Sequence, residues 1–320
     1  MNLNGKRVVI AKTNHIGDVV ISLAMAGLIK KNYPKARVIF LCKAEVCDIA
    51  RMCQGVDEVH DWQTIDKSDD RVGGLKALRA DVFIHANPSK KLSFLVKEAG
   101  VAIRVGSVFR LFQWVSCNRL AFISRWPGVN KRVLDLQFLK PLGIDVKVNE
   151  QTLMSLSQLK HLPLKKSHQA LLSADKFNLV LHPGAKTAKE NGWGVDNYKQ
   201  LIHSLDQNKF QIIISGSNSE RQQFSDLLEE DGVVDLMGCM SLINYINFLH
   251  YIDGMVAGST GPLHLANAQK KHTLGLYRHN TTENNRWCPI GDKSSLLSDK
   301  KGVQAISVER VKLRISDWLI

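Results

Sequence analysis

The sequence lacks the standard nucleotide signatures. It has no G-x-G-x-x-G and no G-x-x-x-x-G-K-[ST], so neither a dinucleotide fingerprint nor a P-loop is offered. Its six cysteines form no C-x-x-C pair, and Cys42, Cys47 and Cys53 are spaced like no familiar zinc ligand set. Reduced thiols, several of them buried, are expected instead. No apolar run approaches the roughly 18 residues that span a bilayer. The opening MNLNGKRVVIAKTNHIGD lacks the apolar core of a signal peptide, which predicts a cytosolic protein. No RNP or KH signature is present, so RNA binding is suggested by charge alone. Repeats and low-complexity tracts are absent. Acidic residues are scarce between 86 and 134, where Glu98 faces nine basic side chains.

What is present fits a two-domain globular chain. It has 320 residues, 44% hydrophobic and 23% charged. The net charge of +13 is uneven. Residues 1–165 carry 26 Lys+Arg against 14 Asp+Glu, and residues 166–320 carry 17 against 16. An anionic partner of the first half follows: nucleic acid, a membrane surface or a phosphorylated substrate.

Short apolar runs alternate with helical spacing. In the first half the predicted strands are Lys6–Lys12, Arg37–Cys42, one near Val56–His60, Asp81–His85 and Ala102–Gly106. Helices are predicted over Val19–Lys31, with one apolar face, and Ala44–Met52. Residues 150–176 break the pattern. It restarts with strands at Asn178–His182, Gln211–Ser215, Val233–Leu236, Gly254–Ala257 and His272–Tyr277. Helices fall at Asn197–Leu205, Glu220–Glu229 and Ser241–Leu249, and another opens at Pro262. This is α/β, two doubly wound halves joined near residue 165. The amphipathic stretch Val308–Leu319 predicts a terminal helix that packs back on the first half.

Ligands of open α/β sheets bind beyond the carboxyl ends of strands. Four loops lie there: Thr13–Asp18, His182–Trp193, Gly216–Glu220 and Gly258–His264. One belongs to the first half and three to the second, which suggests a cleft with a nucleotide held by the second half. In the last loop, Ser259 and Thr260 can cap free amides, Gly261 permits close approach and His264 can add a donor. That is a phosphate cradle, or an ordinary well-capped helix start. Asp18 is either a carboxylate favoured by the helix dipole or a general base, with His15 as the rival base. Lys186 and Lys189 either form a solvated loop or neutralise a diphosphate leaving group. Glu220 is either an N-terminal helix charge or an acceptor from ribose hydroxyls. Residues 108–126 interleave aromatics with Arg110, Arg119 and Arg125, which reads as a core helix with a basic outer face or as a surface for anionic lipid.

Six segments, in this order, resemble glycosyltransferase family 9, the heptosyltransferases of lipopolysaccharide core synthesis. They are HIGDVV from His15, HPGAKTAKENGW from His182, GSNSE from Gly216, GCMSL from Gly238, STGPLHLANA from Ser259 and RWCPIG from Arg286. The resemblance implies a GT-B fold, two Rossmann-like domains facing a central cleft. Residues 1–165 would bind the acceptor, residues 166–307 the nucleotide sugar, and 308–320 would form the terminal helix. It implies an inverting transferase that moves heptose from ADP-heptose to a lipopolysaccharide core or lipid A–Kdo acceptor. Asp18 would be the catalytic base, and Lys189 or Lys186 would contact donor phosphate. Glu220 would bind ribose and Met240 line the base pocket. Thr260, Gly261 and His264 would form the phosphate turn. Many members carry Asp where this chain has Ser259, which touches the choice of donor. His15, Arg110 and Arg119 are candidates for the acceptor side.

No cofactor or metal is implied; the nucleotide sugar is a substrate. The implied partners are that donor, an anionic lipid-linked saccharide and the cytoplasmic face of the inner membrane, met peripherally, with no nucleic acid. Two alternatives stay open: the same family with another nucleotide sugar, or a non-catalytic nucleotide-binding member.

Overall fold

The computed structural model describes residues 1–123, 128–184 and 192–319. The chain divides into two compact units, Met1–Lys160 and His161–Ile320. The first contains β1 (Arg7–Ala11), β2 (Arg37–Cys42), β3 (Glu58–Asp61), β4 (Val82–His85), β5 (Ile103–Ser107) and β6 (Arg119–Ala121). All pair in parallel, in the order β3-β2-β1-β4-β5-β6. β1 and β4, buried on both faces, read as continuous apolar runs for that reason.

The helix Ile16–Asn32 follows β1. Its apolar spacing predicts one buried face, but ten residues from Val19 to Ile29 are buried. Helices Lys131–Leu136, Cys47–Met52 and Glu150–Ser155 cover its outer side. A helix apolar nearly all round needs such a second cover. Gly27 permits it, because a Cβ there would overlap the Leu156 backbone.

The stretch 108–126 is not the core helix that its aromatics suggest. A short helix, Leu111–Ser116, is followed by edge strand β6, with Arg119 beside Val105 of β5. Asn118 fixes the change. Its Oδ1 accepts from the Arg104 amide at 2.9 Å and its Nδ2 donates to the Ala102 carbonyl at 2.7 Å. Arg125 and Trp126 lie outside the described residues.

The second unit contains β7 (Phe177–His182), β8 (Phe210–Ile214), β9 (Val233–Asp235), β10 (Gly254–Gly258), β11 (His272–Arg278) and β12 (Ser294–Asp299). Their order is β12-β11-β10-β7-β8-β9, again all parallel. Counted from its own first strand, this is the strand order of the first unit. Both are Rossmann-like sheets, and each reverses direction once, between β1 and β4 and between β7 and β10.

The terminal helix, Val308–Ser316, does not join the first unit's core. Val311 and Ile315 are buried in the core of the second unit with Leu201, Phe210 and Trp193. The Trp193 indole donates to the Ile306 carbonyl at 2.7 Å, and Trp318 stacks on Phe177. The apolar stripe of this helix therefore completes the unit in which it lies. Among the described residues no helix is long and apolar enough to cross a membrane.

Candidate functional site

In the first unit the order reversal lies between the loops that leave β1 and β4. They are tied together: the Asn87 amide donates to Thr13 Oγ1 at 3.0 Å, and Lys12 Nζ reaches the Ala86 carbonyl at 3.4 Å. Lys12 is buried, and it is the hub. Its ammonium stands 3.6 Å from Asp18 and 3.3 Å from Asp135. Ser22 Oγ donates to Asp135 at 3.1 Å, and Lys131 pairs with the other oxygen of Asp135. Burial alone would push the Asp135 carboxyl up. The charges of Lys12 and Lys131 outweigh it and hold the group below its ordinary value. The Lys131 ammonium is pushed down by burial despite the pull of Asp135.

Asp18 occupies the first turn of helix Ile16–Asn32 and is partly exposed. The N-cap residue His15 makes no side-chain cap, and Asp18 in the first turn keeps the favourable helix-dipole position of its ordinary reading. Its charged neighbour is Lys12, the residue just past β1. His15 is the exposed residue preceding the helix. Arg110 follows the carboxyl end of β5, on the same edge of the sheet as Asp18. Arg119 is not brought there: it opens β6, and its guanidinium turns back to the Asn118 carbonyl at 3.2 Å. Lys12, Lys131 and Asp135 are functional candidates that sequence reasoning missed. Lys12 directly follows an ordinary strand, and Asp135 lies more than a hundred residues away; no local pattern joins them.

The reversal in the second unit has different chemistry. His182 ends β7 beside Ala257 of β10. Its Nδ1 is 3.0 Å from Ser215 Oγ, which is 3.0 Å from the Tyr245 hydroxyl. Burial pushes the His182 imidazole down to about 4, although the carboxylate of Glu220 pulls the other way. Burial likewise pushes the Tyr245 phenol up. The result is a neutral polar chain under the loops.

Glu220 is half-buried and forms a capping box with Ser217, whose amide and hydroxyl donate to Oε2 at 2.9 and 2.6 Å. Both readings of Glu220 thus survive, because its other oxygen faces Gly184. A Cβ at Gly184 would overlap that carboxylate and make the Glu220 side chain shift. Met240 is half-buried in the turn before helix Leu242–Leu249. Lys186 and Lys189 lie outside the described residues.

Past β10, Ser259 is exposed and Thr260 precedes helix Gly261–Ala268, with Pro262 in its first turn. The capping expected of Thr260 is absent: its side chain accepts from none of the first amides. Thr260 Oγ1 is buried and has no hydrogen-bond partner among the described residues. A helix start uncapped by its N-cap side chain, with a buried hydroxyl beside it, suits an anion. His264 is buried in the same turn. Asn267, one turn on, anchors the helix by donating to the Ile290 carbonyl at 2.7 Å and to Ser294 at 2.8 Å. Among the described residues no group of three or more His, Cys, Asp or Glu side chains could hold a metal ion. Cys42 and Cys47 approach to 3.3 Å, both buried.

Comparison with known proteins gives one family. The description "Glycosyltransferase family 9 (heptosyltransferase)" matches residues 73–313. A Haemophilus influenzae protein inferred to be a glycosyltransferase is 22% identical over 300 residues, covering 90% of this chain and 87% of its own. A family 9 glycosyl transferase from Veillonella parvula superposes with a TM-score of 0.83 at 16% identity, over 100% of this chain and 98% of the other. The E. coli heptosyltransferase WaaC, solved with ADP, gives 0.77 at 19% identity, over 98% and 99%. These solved structures share the GT-B architecture of two Rossmann-like units. The family match begins after Asp18, and the structural likeness spans the first loop as well. With three quarters of its length inside the family description and its whole length inside the family's architecture, the chain belongs to glycosyltransferase family 9, and it is a glycosyltransferase.

Proposed function

We propose that the protein transfers a heptose, with inversion, from ADP-heptose to a lipid-linked saccharide of the lipopolysaccharide core at the cytoplasmic face of the inner membrane. The observation that carries this reading is the pairing of Asp18 with Lys12 at the opening of the first helix. A carboxylate oriented by a buried cation, at the reversal of a parallel sheet, is a base positioned to meet a bound hydroxyl. Relatives of this architecture have been solved with ADP and with ADP-2-deoxy-2-fluoro heptose. That supports an adenine nucleotide sugar as donor.

In the proposed step Asp18 takes the proton of an acceptor hydroxyl. The oxygen attacks the anomeric carbon from the face opposite the nucleotide. The bond from that carbon to the diphosphate oxygen breaks, and the nucleoside diphosphate leaves with the electron pair. The amides that start helix Gly261–Ala268 and the Thr260 hydroxyl meet the growing negative charge, with Lys186 or Lys189 adding to them. Glu220 accepts from the ribose, and Met240 lines the base. His264, buried behind the turn, shapes it. Ser259 replaces a carboxylate common in relatives, so its hydroxyl takes over one donor contact. Arg110 and His15 stand on the edge where an anionic acceptor would be met.

The test is thermal shift followed by an acceptor assay. ADP and ADP-heptose should raise the melting temperature above any effect of UDP or GDP forms, since ligands of the folded state stabilise it. A larger shift with a UDP or GDP sugar would replace the donor and keep the mechanism. Binding without turnover on any lipid-linked acceptor would favour a nucleotide-binding member that does no chemistry.

A further inference from the structure

The helix Leu111–Ser116 is built inside out. Its buried positions are polar: Gln113 and Ser116 are both fully covered. Its outward positions are apolar: Leu111 is 83%, Trp114 59% and Val115 60% exposed. These three stand at i, i+3 and i+4, which places them on one face. The orientation is fixed. Gln113 Oε1 accepts from the Ser107 amide at 2.8 Å, and Ser116 Oγ donates to the Phe112 carbonyl. Lys97 and Arg104 donate to the carbonyls of Val115 and Ser116 at the helix end. Turning the helix over would strand buried polar groups, at a cost of about 1–3 kcal/mol each. Phe122, 61% exposed just beyond β6 and in ring contact with Phe109, lies in the same segment, and Phe94 is exposed on the neighbouring helix Lys90–Glu98.

We propose that this face seats the first unit on the surface of an anionic bilayer. Its composition fits no other occupant as well. The Trp114 indole N–H is already satisfied by the Val108 carbonyl at 2.9 Å, so its exposed ring is free to enter an apolar layer without losing a hydrogen bond. The same segment exposes Arg110, Arg119, Lys90 and Lys97, of which Lys97 reaches the Val115 carbonyl, and its acidic member is Glu98. Basic side chains beside aromatic and aliphatic ones suit lipid phosphates above an acyl layer. A second copy of the chain would bring the same cations face to face, which opposes self-association. The inference deepens the lipid-linked acceptor reading by naming the surface. It rests on that reading only for its biological setting, because membrane binding is measured without donor or acceptor.

Sedimentation of the full-length protein with vesicles tests it. Wild type should pellet with phosphatidylethanolamine–phosphatidylglycerol vesicles, be released by salt, and stay in solution with phosphatidylcholine. The double variant Leu111→Ser/Trp114→Ser should partition about tenfold or more weakly. Its melting temperature should hold, since both side chains are exposed. Failure of wild type to bind the anionic vesicles overturns the proposal, and so does equal binding by the variant. If wild type is instead a dimer that the variant splits, with no vesicle binding, the face is an interface between copies. Loss of vesicle binding with intact transfer to a soluble acceptor would leave the enzymatic reading standing; the reverse result would leave the surface standing.

Discussion

Where strand order reverses in the first unit, the chain places Lys12, Asp18 and Asp135; at the same point of the second it places Gly184, His182, Ser215 and Thr260. The two sheets share one topology, and both edges could receive a ligand. The first is furnished with full charges held in a fixed pattern. The second has backbone amides, hydroxyls and a histidine kept neutral by burial. Charges that exchange protons suit activation of a hydroxyl, and dipoles that are already oriented suit a leaving diphosphate. Topology thus fixes where each unit can bind, and side chains fix what each can do.

The largest expected effect separates these tasks. Asp18→Ala should lower turnover roughly 10²–10⁴-fold. Nucleotide-induced stabilisation should be unchanged, because the proposed donor cradle lies in the other unit. Near-wild-type turnover would move the base to another residue, with His15 next to be tested. Asp135→Asn tests the support beneath Asp18. It leaves Lys12 and Lys131 without their shared buried counter-charge, and unfolding of the first unit should become easier by about 3–5 kcal/mol in a urea titration. A change below about 1 kcal/mol would show that the lysines do not depend on it.

Gly184→Ala should act only in the second unit. It forces the Glu220 carboxylate to move. Donor affinity should fall about tenfold by calorimetry, equal to about 1.4 kcal/mol. Unchanged affinity would remove Glu220 from the donor site. The smallest effect is graded with pH. Burial pushes His85, at the end of β4, from 6.5 down to about 3. The unfolded chain takes a proton there near 6.5, whereas the folded chain does not until about 3. Stability from this group is therefore complete above about 6.5 and is lost as pH falls, by up to about 1.4 kcal/mol per pH unit. His85→Leu should remove that slope from acid denaturation of the first unit while leaving the part due to His182 in the second. An unaltered acid limb would mean that His85 is hydrated in the folded state.

Most strands were legible because parallel sheets bury them on both sides, and buried runs such as RVIFLC announce themselves. The loops at their ends were legible through glycine, proline and hydroxyl residues. β6 and β12 were not. Arg119–Ala121 has three residues on an edge, and Ser294–Asp299 is half-exposed and rich in serine, so neither has an apolar signature. The Lys12–Asp18–Asp135 cluster was illegible for another reason: it is assembled by packing of helix Lys131–Leu136 against helix Ile16–Asn32. Of the two readings of 108–126, the core helix does not hold, since Trp114 and Phe122 there face outward. The partner of the terminal helix was a matter of tertiary choice. Its amphipathic stripe required a partner without naming it.

That partner has a consequence for synthesis. Every strand of the first unit lies before residue 161, so this unit can complete its core while the ribosome is still working. The second closes later: Val311, Ile315 and Trp318 seal the region around Leu201, Phe210 and Phe177, and they follow every strand of that unit in the chain. Vectorial folding would make the two halves complete at different times, the half that holds Asp18 first. Ribosome-stalled chains ending near residue 300 should show a protease-resistant first unit and a second that is still digested; equal resistance of both would show that the terminal helix is dispensable for closure.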